Sequence, residues 1–378
     1  MTAVTAIFDI GKTNKKLLLF TEEGEVVSEC SESLPEIADE DGFPCEDISL
    51  LKQWIFRKWN EVIVSKEYSV GAVNFSAYGA SFVHLDENDK VCAPLYNYLK
   101  SYPPELLEQF YSRYGDKNSF AEETASPPMG FLNSGLQLYW LKHRKQEVFG
   151  KINTSLHLPQ YLSWLFSGKK LSEHTSIGCH TALWNFKEGR YHRWLEQENL
   201  SRLLPPLSKT ESVEQNFIKT GVGLHDSSAA LLPYVRSVKE PFLLLSTGTW
   251  CVCMNPFDSA PVNASDLSLD CLCYMNPTGK AVKASRIFLG KEHEYQVRRM
   301  NAHFTKQADY YKTIATDQYL KETRRIISGK NPNKLVPACL EGTGPFPDKK
   351  NGEWNLNSFE TFEQAYSQLL LDLSCMLK

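Results

Sequence analysis

A chain of 378 residues, 42% of them hydrophobic, exceeds what one ordinary core accommodates, so two domains are expected. The formal net charge is −4, and Lys and Arg are scattered rather than gathered in tracts, which argues against a nucleic-acid partner and for a small molecule. No apolar run reaches the roughly 20 residues of a membrane span, no secretory leader pattern opens the chain, and ten cysteines are too dilute for a disulfide scaffold, so a cytoplasmic protein with no membrane partner is expected.

Taken in chain order, the opening apolar run ends at Asp9, a tight turn containing Gly11 follows, and Lys16 to Phe20 forms a second strand. Glu22-Glu23-Gly24-Glu25 turns the chain into a third strand at Val26, giving an antiparallel meander. Leu51, Ile55, Trp59 and Val62 recur at helical spacing between Ser49 and Ser65, with Asp47 or Ser49 as the cap. A helix starts at Pro103-Pro104 and stops at Gly115, and another runs from Ser134 towards Gly150. Further strands are expected at Val70 to Ser76, Ser81 to Leu85, Phe217 to Leu224, Phe242 to Ser246 and Cys251 to Met254. Cys251/Cys253 and Cys271/Cys273 have the spacing of alternate strand positions, not of zinc ligands. The stretch from Tyr234 to Pro241 is the candidate boundary, dividing the chain into domains 1–237 and 238–378.

The tripeptide Gly11-Lys12-Thr13 invites a P-loop reading, but the glycine required five positions earlier is Ala6. A P-loop lysine also leads into a helix, whereas KKLLLF followed by a Glu-Gly turn is a hairpin strand. What remains is Asp9-x-Gly11-x-Thr13-x-x-Lys16, a carboxylate at a strand end followed by a turn that offers amides and a hydroxyl to phosphoryl oxygens. Taken alone, an ordinary hairpin is the better explanation of this segment, because D-x-G-x-T is a weak pattern. The second half repeats the device: LLLSTGTW is an apolar strand entering a turn at Thr247-Gly248-Thr249, followed by the strand CVCM. Between the two, TGVGLHDSSAA delivers Asp226 to a strand end beside small residues, which suits a general base, or alternatively the cap of the next helix.

Together these segments resemble the FGGY carbohydrate kinases. DIGKTNKK is similar to that family's first phosphate motif, GLHDSSAAL to its catalytic-aspartate motif and STGTW to its second phosphate motif. The resemblance implies an α/β, actin-like (ribonuclease-H-like) fold of two domains with a nucleotide cleft between them. It also implies ATP- and Mg2+-dependent phosphorylation of a sugar hydroxyl. Asp226 would then take the proton of the attacking hydroxyl, and Asp9 would hold Mg2+ through water. Gly11, Thr13, Asn14 and Lys16, with Thr247, Gly248 and Thr249, would meet the phosphates. Tyr78, Gly79, Ala80 and Ser81, with His225 and Asp226, would line the sugar.

Departures from the family pattern bear on the substrate. Tyr78-Gly79-Ala80-Ser81 and Trp250 resemble the rhamnulokinase and fuculokinase branch, implying a ketose such as L-rhamnulose or L-fuculose. Asn97-Tyr98-Leu99-Lys100 replaces the usual W-x-D-x-R segment, and Gln160 stands where Asp is common. A xylulose- or polyol-type substrate, a catalytically idle sugar or nucleotide binder, and an actin-like filament or chaperone ATPase are the alternatives, and a homodimer is left open. The family's glycine-rich adenosine segment has no counterpart, which implies a chain shortened at its C-terminus, where the last helix carries Phe362, Ala365, Tyr366, Leu369, Leu373 and Met376 on one face.

Overall fold

The computed structural model describes the chain apart from residues 209–212, 216–217, 249, 330–332, 347, 349–351 and 378. Two compact units are present, one formed by Met1–Phe242, Asn255–Ala264 and Leu272–Lys283, the other by Leu243–Met254, Ser265–Cys271 and Ala284–Lys378.

The first unit begins with the expected meander of β1 (Thr2–Ile10), β2 (Lys15–Phe20) and β3 (Val26–Glu32). Period-two alternation buries Val4, Ala6, Phe8 and Ile10 on one face of β1. Helix α1 (Ile48–Val64) is capped by Asp47, whose Oδ1 accepts from the Ser49 and Leu50 amides, and buries Leu51, Trp54 and Ile55. The chain then returns as β4 (Tyr68–Ala77), parallel to β1. A short hairpin follows, made of β5 (Phe82–Leu85) and β6 (Thr154–His157), with α2 (Pro104–Tyr114) and α3 (Ser134–Arg144) between its strands. The helix expected to run to Gly150 stops at Arg144, because Lys145 leaves the helical region at φ −130, ψ 53, and only a short turn, Gln146–Phe149, resumes it.

After α4 (Leu158–Ser167) the sheet is completed by β7 (Val213–Gln215), β8 (Ile218–Thr220) and β9 (Leu224–His225), and α5 (Asp226–Ser237) follows directly. The strand order is β7-β8-β4-β1-β2-β3, with β9 also pairing β4. The strand expected from 217 to 224 is broken at Gly221–Gly223, and Phe217 lies outside the described residues. The break has a physical cause in Asn74 on β4: its Oδ1 accepts from the Gly223 amide at 3.1 Å, and a Cβ at Gly221 would stand 2.1 Å from its side chain. Aromatic packing fixes α4 to the sheet: Phe8 stacks on Phe75 at 5.6 Å, and Phe166 lies 5.2 Å from Phe75.

Later in the chain, β10 (Leu244–Ser246), β11 (Cys251–Asn255), β12 (Cys271–Met275) and β13 (Ala281–Ile287) form a sheet of order β10-β11-β13-β12. The strand expected from Phe242 thus starts two residues later, and both C-x-C pairs do lie on strands. Among the described residues no cysteine forms a disulfide, and no group of three or more His, Cys, Asp or Glu could hold a metal. The second unit's core gathers α6 (Leu289–His303) and α8 (Phe362–Met376) around Trp354, with α7 (Thr316–Ser328) beside α8. The apolar face of the last helix is engaged: Phe362, Ala365, Tyr366, Leu369 and Leu373 are buried and Met376 is partly so.

Candidate active site

Parallel pairing brings three strand ends together. Asp9 lies opposite Ser76 across β1 and β4 and opposite Lys16 across β1 and β2, while Leu224 and His225 on β9 pair with Ser76 and Ala77. Asp226, the next residue, therefore emerges at the C-terminal edge of the parallel strands where Asp9 sits, the edge at which α/β sheets take ligands. Burial raises the Asp9 carboxyl above its ordinary value; the Ser76 hydroxyl lowers it, the negative charge of Asp226 raises it further, and Lys16 lowers it. Lys16 itself is half-exposed and reaches Glu29 at 3.2 Å.

Asp226 is the first residue of α5, and the N-cap position belongs to His225, whose side chain makes no capping hydrogen bond. One Asp226 oxygen, Oδ1, accepts from the Ser227 amide at 2.6 Å and lies 3.1 Å from His225 Nε2. The other, Oδ2, has no partner among the described residues, and the side chain is 37% exposed. His225 is buried, with Nε2 also 3.3 Å from Cys179 Sγ, and burial lowers its pKa, leaving a neutral ring. A Cβ at Gly79 would stand 3.0 Å from that ring, so the glycine permits the close approach.

The hairpin between β1 and β2 is closed by the Gly11 amide donating to the Asn14 carbonyl at 2.9 Å. Asn14 Oδ1 accepts from Ser33 Oγ, and Lys12 pairs with Glu36 at 2.7 Å while its ammonium lies 5.9 Å from the centre of the Tyr78 ring. The amides of Lys12 and Thr13 have no acceptor among the described residues. Behind the turn lies a group the sequence reading passed over. Lys15, 2% exposed, donates to the Gly11 and Lys12 carbonyls at 3.0 and 3.2 Å and pairs with Glu46 at 2.5 Å. Glu46 in turn accepts from the Tyr78 hydroxyl at 2.5 Å.

Of the remaining expected sugar residues, Tyr78, Ala80 and Ser81 are buried, and Gly79 is partly exposed. Tyr78 is held by Glu46, and burial keeps its phenol protonated, well above its ordinary value. Ala80 adopts φ +59, its carbonyl taking the Gln137 amide at 2.7 Å. Tyr98, also missed, is half-buried, with its ring 6.1 Å from that of Tyr78; burial and the charge of Asp226 raise its phenol. Its signal in the sequence was its place in the segment that departs from W-x-D-x-R. In the second unit, Thr247 and Gly248 are exposed in the turn between β10 and β11, and Thr249 lies outside the described residues. Trp250 stacks on Phe288 at 4.3 Å.

Comparison with known proteins decides the family. Residues 4–223 match the N-terminal domain of the FGGY family of carbohydrate kinases, and residues 239–376 match the carbohydrate kinase FGGY C-terminal domain. The chain belongs to the FGGY family. This FGGY chain is 24% identical over 230 residues to a rhamnulokinase of Oceanobacillus iheyensis, covering 57% of this chain and 47% of that one. It is 25% identical over 271 residues to a rhamnulokinase of Bacteroides thetaiotaomicron (67% and 55%), and 22% identical over 281 residues to an L-fuculokinase of Haemophilus influenzae (67% and 57%). The matches thus span about half the length of these relatives. Among solved structures, a carbohydrate kinase from Novosphingobium aromaticivorans superposes with a TM-score of 0.81 at 24% identity, over all of this chain and 80% of that one. A xylulose kinase from Lactobacillus acidophilus gives 0.76 at 17% identity, over 99% and 78%. The fold is therefore the actin-like α/β kinase fold. No helix among the described residues is long and apolar enough to cross a membrane.

Proposed function

We propose that this FGGY chain carries out ATP- and Mg2+-dependent phosphorylation of a hydroxyl of a small sugar, with Asp226 as the general base. The observation that carries the proposal is the meeting of Asp9 and Asp226 at one sheet edge, with one Asp226 oxygen anchored and the other unpartnered. The anchored oxygen fixes the carboxylate's orientation; the unpartnered one is placed to accept a proton as the hydroxyl attacks. His225 serves this reading through Asp226, whose Oδ1 lies 3.1 Å from its Nε2.

The donor set suits magnesium, which binds through one or two carboxylates and substrate phosphates rather than in a protein cage. Asp9 is a carboxylate disfavoured by burial and by Asp226, so a cation beside it relieves both. Mg2+ and ATP, when bound, would supply charge neutralisation and the phosphoryl group; Asp9 would hold the ion through water, and the amides around Thr13 and Asn14 would meet the phosphates. Gly248 and Thr249 play the same part in the domain read as 238–378, after an N-terminal domain of 1–237.

For the sugar, a ketose of the L-rhamnulose or L-fuculose type is favoured by Trp250, by the YGAS segment and by the names of the sequence relatives. The xylulose kinase among the structural relatives supports a pentulose as the second reading. A panel of deoxyhexuloses, pentuloses, gluconate and glycerol, followed by sugar-dependent ADP release, tests both. Preference for xylulose or glycerol overturns the deoxy-sugar reading, and no release with any acceptor overturns the kinase.

A further inference from the structure

Resting on the kinase reading, we infer that Lys15 is a positioning residue that turns the Lys12 and Thr13 amides outward as an anion cradle, with Glu46 coupling this setting to Tyr78. The argument starts from the peptide unit. In a trans peptide the carbonyl of one residue and the N–H of the next point in opposite directions. The Gly11 carbonyl shares a peptide with the Lys12 amide, and the Lys12 carbonyl with the Thr13 amide. Lys15 draws both carbonyls inward, at 3.0 and 3.2 Å, so both amides are driven to the opposite side. Neither amide finds an acceptor among the described residues, and successive amides turned the same way form an anion-binding concavity.

The ammonium cannot meet a phosphate itself. It is 2% exposed, it donates to the two carbonyls, and its charge is paired with Glu46. Its effect on an anion is therefore transmitted by backbone orientation. Glu46, 4% exposed, uses one oxygen for Lys15 and the other for the Tyr78 hydroxyl, and Tyr78 opens the segment that follows β4. One buried chain of contacts thus runs from the phosphate hairpin to the strand end expected to face the sugar. The ordinary alternative is a buried ion pair that stabilises the meander and does nothing for ligands.

Lys15→Met alone strands Glu46 as a buried unpaired charge and is expected to melt early. Lys15→Met combined with Glu46→Gln removes both charges, leaves Tyr78 an acceptor, and is expected to melt close to the native chain. The probe is magnesium tripolyphosphate, which needs no adenosine pocket, followed by calorimetry and by the nitrogen-15 shifts of the Lys12 and Thr13 amides. In the native chain these two amides shift on titration; in the double variant affinity falls by about tenfold or more, as expected for losing aligned donors to an anion. A double variant that melts like the native chain and binds tripolyphosphate equally well overturns the inference. Native amides that stay unmoved while sugar-dependent ADP release proceeds overturn the cradle and leave the kinase standing. Amides that shift in a chain with no ADP release support the cradle and count against the kinase.

Discussion

Gly223→Ala tests whether the break between β8 and β9 seats Asp226. Gly223 has φ +82, and a Cβ there would stand 2.3 Å from the Pro159 carbonyl oxygen and 2.6 Å from its carbon. These are backbone atoms of the first turn of α4, so no rotamer change relieves the clash. Two costs add: the left-handed backbone costs an L-residue about 1–2 kcal/mol, and displacing well-packed groups about 1–3 kcal/mol. Their sum, about 2–5 kcal/mol, corresponds to a fall in Tm of roughly 4–20 °C for a domain of this order of size. Gly42→Ala is the internal control, with φ +80 but no atom within 4 Å of its added Cβ. It carries only the first cost and should fall by roughly 2–8 °C. Because Asp226 lies three residues beyond the clash, Gly223→Ala should also lower kcat more than it raises the KM for ATP. Thermal melts of both variants, with turnover followed by ADP release, decide the matter. If Gly223→Ala melts with Gly42→Ala and keeps its kcat, the contact with Pro159 does not seat the base and the reasoning fails.

Asp226→Asn keeps an acceptor for the Ser227 amide but cannot take up a proton, so turnover should drop by about a hundredfold to ten-thousandfold with sugar affinity retained; a variant keeping a tenth of the rate would remove Asp226 from the chemistry. Asp9→Asn should lose Mg2+-dependent transfer yet melt no lower than the native chain at neutral pH: a raised folded carboxyl disfavours the native state as pH climbs from the ordinary carboxylate range through the raised value, and Asn escapes that penalty. A melt well below the native chain at neutral pH would refute the sign. His84 and His157 are buried and held to about 3, so the unfolded chain binds more protons between pH 6.5 and 3, and stability should fall as pH falls there by up to about 1.4 kcal/mol per pH unit for each ring. Urea midpoints that stay level between pH 6 and 4 would show both rings titrating freely.

What could be read beforehand was local. The β1–β2–β3 meander follows from apolar alternation and a Glu-Gly turn, with Gly24 at φ +86, and the start of α1 follows from Asp47 as a cap. What could not be read depended on distant partners. The interruption at Gly221–Gly223 is set by Asn74, 149 residues from Gly223. The departure at Gln160 has a similar cause: its Nε2 donates to the Gly223 carbonyl at 2.8 Å, a bond that the carboxylate common at this position in the family could not make. Lys15 was half legible, since it shares the buried face of β2 with Leu17 and Leu19 and so had to be paired, but nothing near it in sequence named Glu46 as the partner.

The sequence alone left two roles open for Asp226, helix cap or general base, because a carboxylate at a strand-to-helix junction serves both. Geometry bears against the cap. A capping side chain sits one residue before the helix and accepts from the second or third helical amide. Asp226 is already helical, and its one backbone donor is the amide of Ser227, the next residue. An uncapped α5 forgoes a contribution of about 1 kcal/mol, so a carboxylate placed one residue too late to cap is poorly explained by helix stability. The same displacement sets it one residue beyond the pairing of His225 with Ala77, at the strand edge where Asp9 lies and where its charge raises a neighbour that burial already disfavours. Two carboxylates brought together at a cost to the fold, with one oxygen held and one left open, fit the proposed cation beside Asp9 and the proposed proton transfer to Asp226.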